Sequence, residues 1–386
     1  MMVQQKQLIA FSVAMLFFCI SSAAVATVHP RYLRSFFADE CFVGLIASVA
    51  YMVEIILCFP VGRLSDTIGR KRMLIISFVS TSLIFFAFYV NEMAIALIPL
   101  QTGLVLFALP LWITGEAFVK DISPVERRGE FRSIFGTFAN AGFFAGVIIA
   151  GTLEMYFGLR SPYLFATLLT LASLPIVFCL EETVNEEDRE RRDRKTEEKN
   201  ASDQKELGFL FFCTFSLYFW YAAKWVFGPL FLENLGYRHF HIALWFAVSL
   251  IPFIIIQIPL GKVSDRVGKT SFVGIGMFIS AVSTIPLSFS ESYEILILFV
   301  LLASIGNTIS EPLMEARVAD IVPRSRYGSF SGIFEIAKIG GLIAGSALSA
   351  VFISISDKVF IPSSTILLLS ALSFFFVHSS LHRHYK

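Results

Sequence analysis

The chain has 386 residues, of which 56% are hydrophobic and only 16% are charged, and its formal net charge is +1. Soluble globular proteins carry about 45–50% apolar and about 25% charged residues, so one water-soluble core could not bury this much apolar surface. The charges are segregated along the chain rather than pooled in a basic patch, which excludes a nucleic-acid partner. The composition therefore indicates an integral membrane protein in a lipid bilayer.

Twelve apolar runs follow one another along the chain, each long enough to cross about 30 Å of hydrocarbon as a helix of roughly 20 residues. They lie near residues 8–28, 42–61, 73–90, 94–118, 131–153, 161–180, 208–232, 241–260, 271–289, 294–318, 330–354 and 359–380. The runs are unbroken and lack the two-residue alternation of β-barrel strands. The sequence therefore predicts an all-α membrane protein with twelve transmembrane helices.

The first run has a second interpretation, because Lys6, Leu8–Ile20 and the small residues up to Ala26 resemble a cleavable signal peptide. The apolar run continues to Val28, however, and cleavage would leave eleven spans. We expect this run to stay in the mature chain as the first helix.

Lys and Arg residues are distributed unequally between the two sides of such a bundle. If both termini are cytoplasmic, 24 of the 31 Lys and Arg residues fall in inner segments and five fall in outer ones. Because cytoplasmic loops are enriched in these residues, the sequence predicts cytoplasmic termini and a cell (plasma or inner) membrane location. Residues 181–206 are dense in both charge signs, which indicates a flexible or surface-helical cytoplasmic linker.

The chain is also an internal duplication with a shift of 199 residues. The matching positions include charged, proline and glycine residues, which a shared apolar composition does not produce. They are Pro60, Gly62, Ser65, Asp66, Gly69, Glu116, Asp121, Pro124, Arg127, Gly129, Gly142 and Gly146 in the first copy, and Pro259, Gly261, Ser264, Asp265, Gly268, Glu315, Asp320, Pro323, Arg326, Gly328, Gly341 and Gly345 in the second. Both copies place the loop residues on the cytoplasmic side, so the repeats are parallel. We therefore predict two six-helix bundles in pseudo-twofold arrangement, over residues 1–180 and 207–386.

Two loops carry a resemblance to a known family. Gly62-Arg-Leu-Ser-Asp66-Thr-Ile-Gly69-Arg70-Lys71-Arg72 resembles the loop between spans two and three of the major facilitator superfamily, and residues 261–269 are its second copy. Residues 121–129 are similar to that superfamily's loop between spans four and five. The resemblance implies a monomeric transporter that moves a small-molecule solute by alternating access and needs no cofactor. It assigns no subfamily.

The resemblance also implies that the loop aspartates act as gates. Gly62 and Gly69 are expected to let the backbone turn tightly at the membrane face. In this family the loop aspartate, here Asp66, is taken to reach the start of the eleventh span near residues 328–331 and to close the cytoplasmic side. Asp265, framed by Gly261 and Gly268, would do the same at the fifth span.

Two ion pairs are expected to hold these loops against the loops that follow the fourth and tenth spans. Arg70 could pair with Asp121, and the equivalent Lys269 could pair with Asp320. Lys71 and Arg72 of the first loop are interpreted as ordinary interfacial charges that obey the positive-inside rule.

Six of the charged residues inside predicted spans are candidate functional residues, because a charge there costs at least about 2.5–3.5 kcal/mol and normally faces a cavity and a partner. They are Glu54, Lys224, Glu311, Glu315, Glu335 and Lys338. The deep positions of Glu54 and Lys224 favour substrate binding or proton coupling. Glu311 and Glu315 share one face of span ten, but Glu315 could also brace a loop through Arg326 or Lys338. Glu335 and Lys338 could form a structural pair.

The sequence has no nucleotide-binding loop of the GxxxxGK[ST] form, so an ion gradient is the expected energy source. We interpret the chain as a secondary permease for a small organic solute, proton-coupled through Glu54 or the carboxylates of spans ten and eleven. A multidrug efflux antiporter and a non-transporting membrane sensor or scaffold are the alternatives. The sequence has no Ser-His-Asp or metal-ligand arrangement, so neither an enzyme nor a metal site is predicted.

Overall fold

The structure is a computed structural model that describes residues 2–37, 40–124, 127–183, 201–256, 269–322, 327–356 and 358–382. All regular elements in these ranges are helical. The first group is α1 (Met2–Arg34), α2 (Cys41–Ile68), α3 (Arg70–Val90), α4 (Leu97–Ile122, after a 3₁₀ turn at Ala94–Ala96), α5 (Arg128–Phe157), α6 (Ser161–Ala172) and α7 (Leu174–Phe178). The second group is α8 (Ala201–Ala222), a π turn (Ala223–Phe227), α9 (Gly228–Asn234), α10 (Phe240–Ile255), α11 (Lys269–Leu287), α12 (Tyr293–Ile321), α13 (Tyr327–Ser356) and α14 (Ile361–His382).

These helices fit the predicted membrane crossings. Within the described residues, ten helical segments are long and apolar enough to span a bilayer, and two shorter apolar helices lie at Phe240–Ile255 and Ile361–Phe374. Together they occupy the positions of the twelve predicted runs. The prediction of an all-α membrane fold is confirmed, and the first run is continuous helix through the region that resembles a cleavage site.

Two stretches that the sequence assigned to loop and linker are helical instead. Helix α1 continues through Arg31 and Arg34, and α8 begins at Ala201, inside the predicted linker 181–206. Glu206 of that linker is only 2% exposed, and its two carboxylate oxygens accept hydrogen bonds from Nε and Nη2 of Arg317 at 2.8 and 3.0 Å. The high density of charged residues in the linker predicted that Glu206 would be solvated. Instead, its carboxylate is buried and binds the guanidinium of Arg317 on α12.

The chain forms two compact units, and the internal packing of one repeats that of the other. Unit one contains residues 1–186 and 232–247, and unit two contains residues 187–231 and 248–386. In unit one, α1 packs against α5 and α6, and α3 packs against α4 and α6. In unit two, the equivalent helices do the same: α8 packs against α13 and α14, and α11 packs against α12 and α14. The predicted domain limits at residues 180 and 207 stay a prediction.

Glycines at matching positions explain one of these repeated contacts. A Cβ atom on Gly146 of α5 would collide with the main-chain oxygen of Ile20 on α1, and a Cβ atom on Gly345 of α13 would collide with that of Phe219 on α8. Both members of the second contact lie 199 residues after those of the first. The duplicated glycines therefore let two helices of each unit approach to backbone contact, which is how small residues support helix pairs in membranes.

Candidate functional site

The seventh predicted span contains a π turn, and Lys224 lies on it. The N–H of Gly228 donates to the main-chain oxygens of both Ala223 and Lys224, which is the wide hydrogen-bond pattern of a π turn. The next residue is Pro229, which has no N–H and whose ring crowds the carbonyl four residues earlier, so the regular α pattern cannot continue there. Single π turns within helices occur frequently at functional sites.

Lys224 is buried in unit two, where its side chain is only 2% exposed. Its Nζ lies 3.4 Å from Oγ of Ser249 on α10 and 5.2 Å from the ring centres of Tyr221 and Trp225. Two aromatic faces and one distant hydroxyl therefore surround this ammonium group.

Glu311 of α12 faces the same segment of α8. Its Oε1 accepts a hydrogen bond of 2.8 Å from the hydroxyl of Tyr218, and its Oε2 accepts one of 2.8 Å from the hydroxyl of Tyr221. Tyr221 therefore touches Glu311 with its hydroxyl and Lys224 with its ring. Because both partners of the carboxylate are neutral hydroxyls that also accept hydrogen bonds, the group can be bonded in its ionised or its protonated form.

Lys338 of α13 closes the arrangement. Its Nζ lies 2.8 Å from Oε1 of Glu315 and 2.9 Å from Oε1 of Glu335, and 5.6 Å from the ring centre of Tyr218. The structure thus brings together five of the six in-span charged residues that the sequence analysis selected as candidates. We call the group the unit-two polar cluster, and its members are Tyr218, Tyr221, Lys224, Glu311, Glu315, Glu335 and Lys338.

The unit-two polar cluster belongs to one copy of the repeat. The positions 199 residues earlier hold Cys19, Ser22, Val25, Trp112, Glu116, Gly136 and Ala139. The single charged counterpart, Glu116, lies 3.5 Å from Arg132 in an exposed pair. Charges present in one copy are not required by the repeated fold, which favours a function specific to this chain. The two tyrosines were not among the residues that the sequence analysis selected.

Glu54, the sixth predicted residue, belongs to unit one. It is partly buried on α2. Its predicted role in solute binding or proton coupling stays a prediction.

The predicted loop pairs are both present. Arg70 is 7% exposed, and its Nε lies 3.2 Å from Oδ2 of Asp121. In the second copy, Nζ of Lys269 lies 2.8 Å from Oδ2 of Asp320. Arg70 also contacts Asp66, with Nη2 and Oδ1 2.5 Å apart. The first loop is therefore tied to the end of α4 through one guanidinium group.

The turn of this loop is made by one glycine rather than two. Gly69 has a φ of +104°, a conformation that favours glycine, and it separates α2 from α3. Gly62 lies inside α2, so the expectation that it permits a tight turn is wrong; the helix continues to Ile68. Gly261, Asp265 and Gly268 of the second loop, and the side chains at 328–331, lie outside the described residues, so the predicted contacts of Asp66 and Asp265 stay predictions.

A residue of the predicted linker completes this first loop. Oε1 of Glu182 accepts a 2.7 Å hydrogen bond from the main-chain N–H of Arg70, and Oε2 accepts one of 3.2 Å from that of Lys71. A carboxylate at a helix N-terminus satisfies otherwise unbonded donors and opposes the helix dipole. Glu182 therefore caps α3, a role that sequence spacing could not reveal because 112 residues separate Glu182 from Arg70.

A buried ion pair at the other end of unit one was also missed. Both nitrogens Nη1 and Nη2 of Arg31 lie 2.5 Å from the carboxylate oxygens of Glu154, and the two residues are 4% and 5% exposed. Nδ1 of His239 lies 3.3 Å from the same carboxylate. Arg31 follows the first predicted run and is one of the five basic residues assigned to outer segments. Only the continuation of α1 places it against α5.

Comparisons with known proteins agree with this architecture. The sequence model of the Major Facilitator Superfamily matches residues 9–209 and again 210–384. The uncharacterized MFS-type transporter MJ1560 of Methanocaldococcus jannaschii is 23% identical over 83% of this chain and 84% of its own length. Multidrug resistance protein 2 of Bacillus subtilis is 22% identical over 86% of this chain and 85% of its own. The crystal structure of the nucleoside transporter NupG superposes with a TM-score of 0.79 over 97% of this chain and 99% of that one, at 13% identity.

Proposed function

We propose that this chain, which belongs to the Major Facilitator Superfamily, is a secondary active transporter that moves a small organic solute by alternating access and couples that movement to protons. The family and the fold are those of transporters rather than enzymes. The observation that carries the finer proposal is the unit-two polar cluster, because charged groups inside spans of a multi-pass protein typically mark a transport pathway. We further propose a cell-membrane location, cytoplasmic termini and a monomeric state.

Glu311 is the proposed proton site. Its two oxygens lie at 2.8 Å from two tyrosine hydroxyls, so the carboxylate keeps hydrogen bonds in either protonation state. Glu315 and Glu335 are less suited to this role because each lies within 3 Å of the Lys338 ammonium. Both carboxylates therefore already have a contacting partner of opposite charge, whereas Glu311 has none among the described residues.

The two cytoplasmic loops are the proposed gates. Both contain a basic residue at the start of a helix that pairs with an aspartate at the end of the following one. Asp66 is 41% exposed at the side chain and binds the buried Arg70. An exposed carboxylate of this kind can exchange partners at little cost, since exposed ion pairs are worth about 0–1 kcal/mol. The latch role of Asp66 and Asp265 is part of this proposal.

Transport in proteoliposomes tests the proposal. The purified protein is reconstituted, and uptake of a panel of organic anions, cations, sugars, nucleosides and amino acids is measured with and without an imposed pH gradient. We expect at least one solute to be concentrated only when the gradient is present. Glu311→Gln should abolish this gradient-driven accumulation, because an amide cannot carry the proton.

The matched control is Glu294→Gln, which removes an exposed carboxylate from the first turn of the same helix. This variant should accumulate solute as the wild type does. Glu54→Gln is assayed beside it, since the sequence assigned Glu54 an equivalent role. Full gradient-driven accumulation in Glu311→Gln would remove Glu311 from the mechanism, and no accumulation of any panel solute under either gradient direction would contradict proton-coupled transport.

A second candidate is a multidrug efflux antiporter. It is favoured by the relative named multidrug resistance protein 2, which is similar over most of both chains. Proton-driven extrusion of several chemically unrelated cationic dyes from inverted vesicles would support this alternative. Selective transport of one solute class would contradict it.

A further inference from the structure

Lys224 is a buried cation for which the described part of the chain supplies no counter-charge in contact. Its ammonium has three donors, yet its one hydrogen-bond acceptor is Oγ of Ser249 at 3.4 Å, near the outer limit for such a bond. Lys338, in contrast, holds carboxylate oxygens of Glu315 and Glu335 at 2.8 and 2.9 Å. The two lysines of the cluster are therefore held differently. Lys338 contacts two carboxylates, whereas Lys224 interacts with the Glu311 carboxylate only through space, without an ion-pair contact among the described residues.

The aromatic rings beside Lys224 attract its charge without neutralising it. The ring centres of Tyr221 and Trp225 both lie 5.2 Å from Nζ, within cation–π distance. Both residues are partly exposed, whereas the lysine is not. They stand three residues before and one residue after Lys224, so a molecule that reached the ammonium would meet two flat apolar surfaces at the same place.

We propose that Lys224 binds the carboxylate of an organic anion, and that Tyr221 and Trp225 contact the planar or apolar part of the same molecule. The solute thus supplies the contacting counter-charge that Lys224 lacks among the described residues. A buried charge without a partner is costly, and this cost is what makes the site selective for an anion. The inference rests on the proposed function, since it names the solute class of that transporter.

The position of Glu311 couples this site to protonation. Tyr221 contacts both residues, so an anion bound at Lys224 lies beside the Glu311 carboxylate and is repelled by it when it is ionised. Glu315, one turn along α12, adds the same sign. Among the described residues, Lys224 and Lys338 are the positive groups that act on Glu311, and the hydroxyl of Tyr218 is its second hydrogen-bond donor. A proton on Glu311 removes the nearest repulsion. Proton and anion therefore assist each other's binding, and this coupling is reciprocal.

Ligand binding to the purified full chain in detergent tests the inference without requiring transport. The probes are benzoate and nicotinate, each compared with its neutral amide, benzamide or nicotinamide, and binding is followed by calorimetry at fixed pH. We expect each acid to bind at least about tenfold more tightly than its amide, since a charge-assisted hydrogen bond is lost in the amide. Lys224→Met should remove the preference for the acid, and Lys224→Arg should retain part of it.

Lys358→Met is the matched control, because Lys358 also lies over an aromatic ring, Phe289 at 4.9 Å, but is exposed. It should keep the wild-type preference. If Lys224→Met is not monodisperse, Lys224→Gln replaces it. Equal binding of acids and amides, failure of both acids to bind the wild type, or an acid preference retained without Lys224 would each overturn the inference. If the gradient drives uptake of neutral solutes alone, the inference is wrong but the proposed function stands. If the acids bind but the gradient drives no uptake, the inference stands but the proposed function is wrong.

Discussion

The buried pair between Arg31 and Glu154 gives a quantitative test of the structure of unit one. Glu154→Ala removes the carboxylate and leaves the guanidinium, 4% exposed, without its bidentate partner. Removal of one member of a buried ion pair typically costs about 3–5 kcal/mol, because the remaining charge stays buried and uncompensated. Both distances are 2.5 Å and both side chains are shielded from solvent. We therefore expect a loss of unfolding free energy within this range, not one reduced by solvent screening.

The assay is reversible unfolding in mixed micelles, followed by helical ellipticity, from which the free energy of unfolding is obtained. Glu92→Ala is the control, because the Arg160–Glu92 pair is 3.9 Å long and its carboxylate is 82% exposed, so its loss should cost about 0–1 kcal/mol. The double variant Arg31→Met with Glu154→Leu should recover most of the loss, since replacing a buried pair with apolar groups is often neutral. A cost for Glu154→Ala as small as that of the control would refute the buried placement of Arg31 on α1.

Three further substitutions test other parts of the structure. Gly345→Leu should lower the free energy of unfolding by about 1–3 kcal/mol or more through overpacking against α8. Gly208→Leu should not, because an added Cβ atom at Gly208 has no neighbour within 4 Å; unfolding in micelles measures both. Asp66→Asn should change transport turnover but cost at most about 1 kcal/mol of stability, because the carboxylate is 41% exposed, and an unchanged turnover would contradict the latch. Pro229→Ala restores an N–H and removes the ring that interrupts the helix, so it should convert the π turn to α-helix and displace Lys224. Solute uptake should then fall although membrane insertion stays normal. Uptake at the wild-type rate would show that the π turn is not needed for transport.

The 199-residue shift in the sequence predicted contacts as well as a repeat. It aligned Arg70 and Asp121 with Lys269 and Asp320, and both pairs are formed. It also aligned glycines that turn out to lie at the same helix contact in each unit. These features could be predicted because local constraints determine the positions of polar, glycine and loop residues in a membrane protein. The bilayer thickness sets the length of each helix, and charged residues are favoured where the chain contacts water.

The polar groups that meet across helices were less predictable. The sequence singled out Lys224 and Glu311 as charged residues within spans, but the tyrosine that connects them was indistinguishable from the many apolar-facing aromatics. Glu182 and Glu206 were assigned to a solvated linker, although each binds donors more than 100 residues away in sequence. Two residues that are far apart in the sequence have no characteristic spacing, so a hydrogen bond between them cannot be recognised from the sequence.

By itself, therefore, the sequence determined the membrane helices, the duplication and the loop pairs, because hydrophobic length and repeated polar positions can be recognised residue by residue. Only the tertiary structure decided which in-span charges share a site, that Arg31 is buried against α5, and that Lys224 has no counter-charge in contact among the residues described. Those facts depend on which faces of neighbouring helices meet, and the apolar faces of membrane helices resemble one another too closely in composition to specify that pairing in advance.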